Sequence, residues 1–360
     1  MMSTEFEHGG NVFAVARSLG IAPEELLDFS ASINPLGMAP GVREAVMGSF
    51  NRLLHYPDSE AAVLRSALAA LHGVTDQNIC VANGSTELIY LAPRLVEGKR
   101  GLVIAPPFGE YAKALELAGW SVDYHELRPV DGFDLDLERL REQMADGYDI
   151  LFLGNPGNPT GRLVSRAEVE ALIDVCLSAG TFLVLDEAFM DFCEEGSAKE
   201  LVCRNDRAVI FRSLTKFYAL PGLRLGCAIG SPRVINRLQA LRGPWSVNGV
   251  AQVAGLASLA DGEYRERTLA AVTKERESLL DGLGRIAGLK PYPSAANYLL
   301  VEIEQGPDAG ELCRKLLSER ILLRNCASFA GLDNRFFRAA VRSREENVRL
   351  LATLAAALAT

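Results

Sequence analysis

The chain has 360 residues, 49% of them apolar and 23% charged, so it can bury a real core and is long enough for one large and one smaller domain. Its net charge of −9 argues against a nucleic-acid partner, which selects for a basic face. The seven cysteines are odd in number and scattered, with no CxxC pair, which points away from disulfides or a zinc site and towards free thiols in a reducing cytoplasm.

The first ten residues carry Glu5, Glu7 and His8 where a signal peptide needs an apolar run, and no apolar stretch approaches the length of a membrane span. A cytoplasmic protein without membrane contact is expected. In chain order, residues 1–50 form a segment expected to join the small domain, 51–245 the large domain and 246–360 the small one. Short apolar runs at 79–82, 102–105, 121–126, 150–153, 182–185, 208–212 and 224–229 read as strands. Amphipathic stretches at 86–95, 111–119 and 166–179 read as helices between them. Strands apolar on both faces and separated by helices predict an α/β architecture with a mainly parallel central sheet. Ligands of such sheets gather at the carboxyl ends of the strands. Further on, helices at 232–241 and 248–289 precede a strand at 298–303. A helix, two strands and a helix at 308–317, 321–324, 336–341 and 345–358 then complete a smaller α+β domain.

Two phosphate-binding signatures fail. Gly282, Gly284 and Gly288 follow a helix and place the last glycine too late for a dinucleotide fingerprint, and no GxxxxGK[ST] loop occurs. Other segments stand just after predicted strands. Asn83, Gly84, Ser85, Thr86 and Glu87 follow 79–82 and open a helix, where backbone N–H groups and the helix dipole favour an anion, although a plain N-cap reads the same way. The run Asn155 to Gly161 follows 150–153 and is by itself a Pro/Gly turn. Asp186 follows 182–185, as a carboxylate for a site or as a helix cap. Lys216 follows 208–212 among Leu214, Phe217 and Tyr218, which would desolvate its amine and make it a nucleophile towards an aldehyde. Arg224 comes soon after. Together they gather an amine, a carboxylate, an amide, an arginine and an anion cradle at one end of one sheet. That is the inventory pyridoxal 5'-phosphate (PLP) needs: an amine for its aldehyde, a carboxylate for its ring nitrogen and donors for its phosphate.

These segments resemble the class I PLP-dependent aminotransferases of fold type I, over nearly the whole chain. The resemblance implies that Lys216 forms the Schiff base, Asp186 meets the ring nitrogen and Asn158 the phenolic oxygen. It implies that Phe108 stacks on the ring, and that Ser85, Thr86, Ser213 and Arg224 hold the phosphate. It implies that Tyr56 reaches the cofactor of a partner subunit in a homodimer, and that Arg338 binds a substrate carboxylate. Longer runs, at 27–37, 186–192, 213–226, 244–248 and 295–300, are similar to a branch of that family, the L-threonine O-3-phosphate decarboxylases of cobalamin biosynthesis. The branch implies a small phosphorylated amino acid as substrate, with Arg324 and Arg342 as further anion contacts and His8 and Asn34 as pocket members. Phe189 fits that branch, whereas histidinol-phosphate aminotransferases carry Tyr there. A histidinol-phosphate-type aminotransferase is the alternative. A PLP-binding regulatory module is another, although such modules usually follow a DNA-binding domain.

Overall fold

The structure is a computed structural model and describes residues 9–359. The first strand, β1 (Leu27–Asp28), is only two residues long. A seven-stranded sheet follows, built from β2 (Ile79–Ala82), β3 (Arg100–Ala105), β4 (Ser121–Glu126), β5 (Ile150–Gly154), β6 (Phe182–Asp186), β7 (Ala208–Ser213) and β8 (Gly226–Ile229). Its spatial order is β2-β8-β7-β6-β5-β3-β4. Strands β3 to β7 run parallel, and β8 is antiparallel to both β7 and β2.

The side-chain period of two divides this sheet's apolar residues between two cores. Leu151, Leu153, Leu183, Leu185 and Ile210 face one core, which holds the helices Ala62–His72 and Arg166–Ala179. Phe152, Val184, Val209 and Phe211 face the other, under the helices Gly84–Leu91, Glu110–Leu117 and Pro232–Leu241. Burial on both faces is why these strands read as unbroken apolar runs. Local signals set the helix ends. Ser165 accepts from Glu168 N to start Arg166–Ala179, and Gly180 ends it at φ 72°.

A second sheet of four antiparallel strands has the order β12-β13-β10-β9, formed by β9 (Leu289–Pro291), β10 (Tyr298–Ile303), β12 (Arg324–Asn325) and β13 (Phe336–Ala340). The remaining strand, β11 (Ile321–Leu322), pairs in parallel with β1. Phe29, just after β1, is fully buried in the core of the second sheet with Leu299, Val301 and Phe337. The N-terminal segment is thereby fixed to the C-terminal part of the chain. Among the described residues no helix is long and apolar enough to cross a membrane.

Two elements differ from the sequence expectation. The strand expected at 321–324 divides at Leu323, its first half pairing with β1 and its second with β13. The helix expected over 248–289 is two helices, Gly249–Leu259 and Gly262–Gly284, because Asp261 caps the second by accepting from Tyr264 N. Its last predicted residue, Leu289, belongs to β9.

Strand register places the working loops along one edge. Gly154 pairs with Asp186, Asp186 with Phe211, and Gly226 with both Ser213 and Ala82. Gly226 is required there, since a Cβ would lie 2.6 Å from Ser85 N and 2.7 Å from the Arg212 carbonyl oxygen. Beneath these loops lies a buried ion cluster. Arg212 on β7 is 1% exposed and reaches Glu187 at 2.9 Å, Glu194 at 2.7 Å and the Ser197 hydroxyl at 2.9 Å. Glu187, itself fully buried, also accepts from Ser197 and from Ala198 N. Removing one partner of such a pair strands the other's charge in a dry interior. Arg212→Leu is therefore expected to lower unfolding stability by about 3–5 kcal/mol, read as a reduced urea midpoint.

Candidate active site

At the carboxyl edge of β5, β6 and β7 lies a cavity of about 390 Å³. Asp186 and Lys216 sit in its floor, at the end of β6 and just after the neighbouring β7. The Asp186 carboxylate accepts from the Tyr111 hydroxyl at 2.7 Å and from Ala188 N at 3.0 Å. Lys216 lies on the short helix Leu214–Phe217, with its amine 5.9 Å from the centre of the Phe189 ring. Its own carbonyl oxygen accepts from Asn34 N at 3.1 Å.

One wall is an anion cradle. Ser85 and Thr86 stand in the first turn of Gly84–Leu91, and Ser213 and Arg224 line the cavity with them. Gly84 lets the guanidinium approach, since a Cβ there would meet Arg224 Nη2 at 2.8 Å. Arg224 adopts a left-handed φ of 57°, an unfavourable backbone state for arginine that aims its side chain back at the helix end. Ser213 Oγ lies 2.7 Å from Thr215 Oγ1.

The opposite wall comes from the four-stranded sheet. Arg324 and Arg338 are direct cross-strand partners in β12 and β13, each 7% exposed. Arg338 donates to the Ser30 carbonyl at 2.7 Å and to Asn158 Oδ1, which leaves the donor side of that amide for a ligand. Arg324 donates to the Ser328 hydroxyl at 3.0 Å and lies 5.1 Å from the Phe329 ring centre.

The cavity thus gathers Ser85, Thr86, Phe108, Asn158, Asp186, Ser213, Lys216, Arg224, Arg324 and Arg338. Two residues expected there lie elsewhere. Asn34 is buried behind the lysine helix, where its amide donates to the Phe217 carbonyl at 2.8 Å and the Tyr264 hydroxyl at 2.7 Å. Arg342 is turned away towards the Asp28 carbonyl and Glu346, at 3.0 and 2.7 Å. Tyr56 does not line the cavity of its own chain. It is 79% exposed and stacks on Trp245, with ring centres 4.6 Å apart. His8 lies outside the described residues. Sequence reasoning assigned no role to Tyr111, or to Ser30, Ser32 and Ser328, which also line the cavity.

The model of the family described as aminotransferase class I and II matches residues 24–354. The chain belongs to that family. Its relatives include the threonine-phosphate decarboxylase of Salmonella typhimurium, 40% identical over 96% of this chain and 95% of that one. They include the adenosylcobalamin biosynthesis bifunctional protein of Leptospira interrogans, 31% identical over 96% of this chain and 40% of that protein. Among solved structures, the histidinol-phosphate aminotransferase of Clostridium acetobutylicum superposes with a TM-score of 0.86 at 29% identity, covering 92% of this chain and 98% of that one.

Members of this family work with PLP, and the electrostatics of the cavity floor fit that group. Burial pushes Asp186 up to about 6, offset in part by the Tyr111 and Ala188 hydrogen bonds and the Lys216 charge. Burial, with Arg338 and Arg224 nearby, brings Lys216 down to about 8, so a usable share of its amine is neutral near pH 7. A protonated ring nitrogen would supply the cation that the buried acid is short of. Because the folded-state value of Asp186 lies above its ordinary 3.8, holding it ionised weakens the fold, and stability falls as pH rises from about 4 to 6. Asp186→Asn is expected to raise the melting temperature of the PLP-free protein at pH 7 by about 2–5 °C. The gain should shrink as pH is lowered through that window, and the same variant should bind PLP more weakly in a fluorescence titration.

Proposed function

We propose that this chain is a PLP-dependent decarboxylase that converts L-threonine O-3-phosphate to (R)-1-amino-2-propanol O-2-phosphate in cobalamin biosynthesis, acting as a cytoplasmic homodimer. The observation that carries the reading is the buried, opposed pair Arg324 and Arg338 across the cavity from Lys216. Two guanidinium groups on one wall suit an amino acid with a second anionic group, while Arg224 serves the cofactor phosphate on the other wall. The decarboxylase of Salmonella typhimurium and the adenosylcobalamin biosynthesis protein of Leptospira interrogans support the substrate and the pathway.

The residues divide the work as follows. Lys216 holds PLP, Asp186 faces its ring nitrogen, Asn158 offers an amide hydrogen to its phenolic oxygen and Phe108 packs on the ring. Ser85, Thr86, Ser213 and Arg224 hold its phosphate. When bound, PLP supplies an electron sink that weakens the Cα bond standing perpendicular to its ring. Arg338 holds the substrate carboxylate and Arg324 its phosphate, and this two-point grip sets the rotation that brings the carboxylate perpendicular. Lys216, at about 8, is suited to return a proton to Cα after CO₂ leaves.

The division into residues 51–245 as PLP-binding domain and 246–360 with 1–50 as the smaller one is supported by the pairing of β1 with β11. The homodimer is supported by an exposed apolar surface. Met47, Phe50, Leu53, Leu54, Tyr56 and Val63, close together in the chain, are between 53% and 84% exposed, as an apolar surface covered by a second copy would be. Tyr56 lies within it, placed to serve a second subunit. Leu54→Glu is expected to shift the protein towards monomer in sedimentation velocity and to weaken PLP retention.

A histidinol-phosphate-type aminotransferase is the second reading, favoured by the overlap with the Clostridium acetobutylicum enzyme. The two separate on one requirement. PLP-loaded protein given L-threonine O-3-phosphate alone is expected to release stoichiometric CO₂ over many turnovers without any 2-oxo acid. No CO₂, with turnover of histidinol phosphate once 2-oxoglutarate is added, would overturn the decarboxylase. Lys216→Ala is expected to abolish the borohydride-trapped PLP adduct, and Arg324→Leu to raise KM for the phosphorylated substrate roughly 10–100-fold.

A further inference from the structure

Tyr298 opens β10 and is fully buried. In the pairing of β10 with β13, Tyr298 stands opposite Ala340 and Leu300 opposite Arg338. With a side-chain period of two, all four share one face, so Tyr298 and Arg338 are diagonal neighbours. The Arg338 guanidinium carbon lies 4.9 Å from the centre of the Tyr298 ring, within cation–π range. The same ring meets Phe189 edge to face at 4.9 Å.

The hydroxyl reaches out of its own sheet. It donates at 2.6 Å to the carbonyl of Gly157, in the loop after β5 that carries Asn158. That carbonyl also accepts from Gly161 N at 2.7 Å, and Ala295 N donates to the Gly161 carbonyl at 2.9 Å. The Asn158 loop is therefore fastened at two points to the segment leading into β10, while Asn158 itself accepts from Arg338. Burial drives the Tyr298 phenol far up from its ordinary range, which keeps it a proton donor at every working pH.

We infer that Tyr298 is a positioning residue that sets Asn158 and Arg338 together, its hydroxyl fixing the loop of one and its ring face the guanidinium of the other. One side chain then fixes the relative placement of the group facing the cofactor's phenolic oxygen and the group facing the substrate anion. This rests on the PLP reading of the site. Tyr298→Phe isolates the hydroxyl, because the Gly157 carbonyl keeps its bond from Gly161 and the ring keeps its contacts.

The test is an absorbance titration of PLP-loaded protein, following the pKa of the PLP–lysine linkage. A donor on the phenolic oxygen competes with the protonated linkage for that oxygen, so a loosened Asn158 should raise this pKa. An increase of about half a unit is expected in Tyr298→Phe, with PLP content and melting temperature close to the parent. If that variant does not fold, Tyr298→Met, which keeps the volume and removes hydroxyl and ring together, replaces it with the same expectation and an added rise in substrate KM. A parental pKa in the folded, PLP-loaded variant overturns the role of Tyr298 alone. A parent protein that shows no visible PLP band overturns the PLP reading and this role with it.

Discussion

Burial works against both ionised groups in the cavity floor, and the surrounding structure is arranged to tolerate that tension. Asp186 ends β6 and Lys216 lies on the short helix just after the neighbouring β7, one pushed towards its neutral acid and the other towards its free amine. Neither state would persist in a soft site, because side chains would swing out to water or water would enter. The neighbouring contacts prevent it. Tyr111 and Ala188 N fix the carboxylate, Asn34 fixes the peptide of the lysine, and next to them Arg212 and Glu187 lock β7 to the turn after β6. The destabilised floor thus depends on a strongly held frame around it, the arrangement expected where stability is given up for chemistry.

How much of this was legible from sequence follows from where the determining contacts lie. The strands of the large sheet are buried on both faces, so each is written as a continuous apolar run, and all seven were found with ends shifted by at most two residues. The smaller pairings were not readable. β1, β11 and β12 have two residues each, too few to show a period, and the change of partner at Leu323 is decided by Leu27 and Phe337, far away in the chain. The cavity residues that were found either follow a strand directly or stand in a motif that resembles the family. Those misplaced answer to distant partners. Asn34 is claimed by Phe217, Tyr264 and Thr268. Arg342, four residues after Arg338, lies beyond the end of β13, so its side chain no longer follows the strand's alternation. Tyr111 was visible as the first residue of the predicted helix 111–119, but its bond to Asp186 spans 75 positions.

Arg324 and Arg338, direct cross-strand partners each 7% exposed, place two guanidinium groups on one wall, and a substrate anion meeting them would exchange water for charge-assisted hydrogen bonds. Binding energy gained at two fixed points can be spent on orienting the substrate rather than on merely tightening the grip. Their rigidity matters as much as their charge. Arg338 is held by Ser30, Asn158 and the Tyr298 ring, and Arg324 by Ser328 and Phe329.

Each sheet alone supplies half of a reaction. Loops of the seven-stranded sheet carry the groups suited to a cofactor, and strands of the four-stranded sheet carry those suited to a substrate's anions. With PLP and substrate bound as proposed, the orientation of the substrate would depend on neither set by itself but on the offset between them. That offset is maintained by a few contacts across the seam: Tyr298 to Gly157, Ala295 to Gly161, and Arg338 to Asn158. A displacement of an ångström there would change the placement of Asn158 against Arg338, and with it the rotation that a bound substrate would take. Close superposition on an aminotransferase therefore leaves the reaction open, because a shared fold does not fix the offset between the two sets of groups.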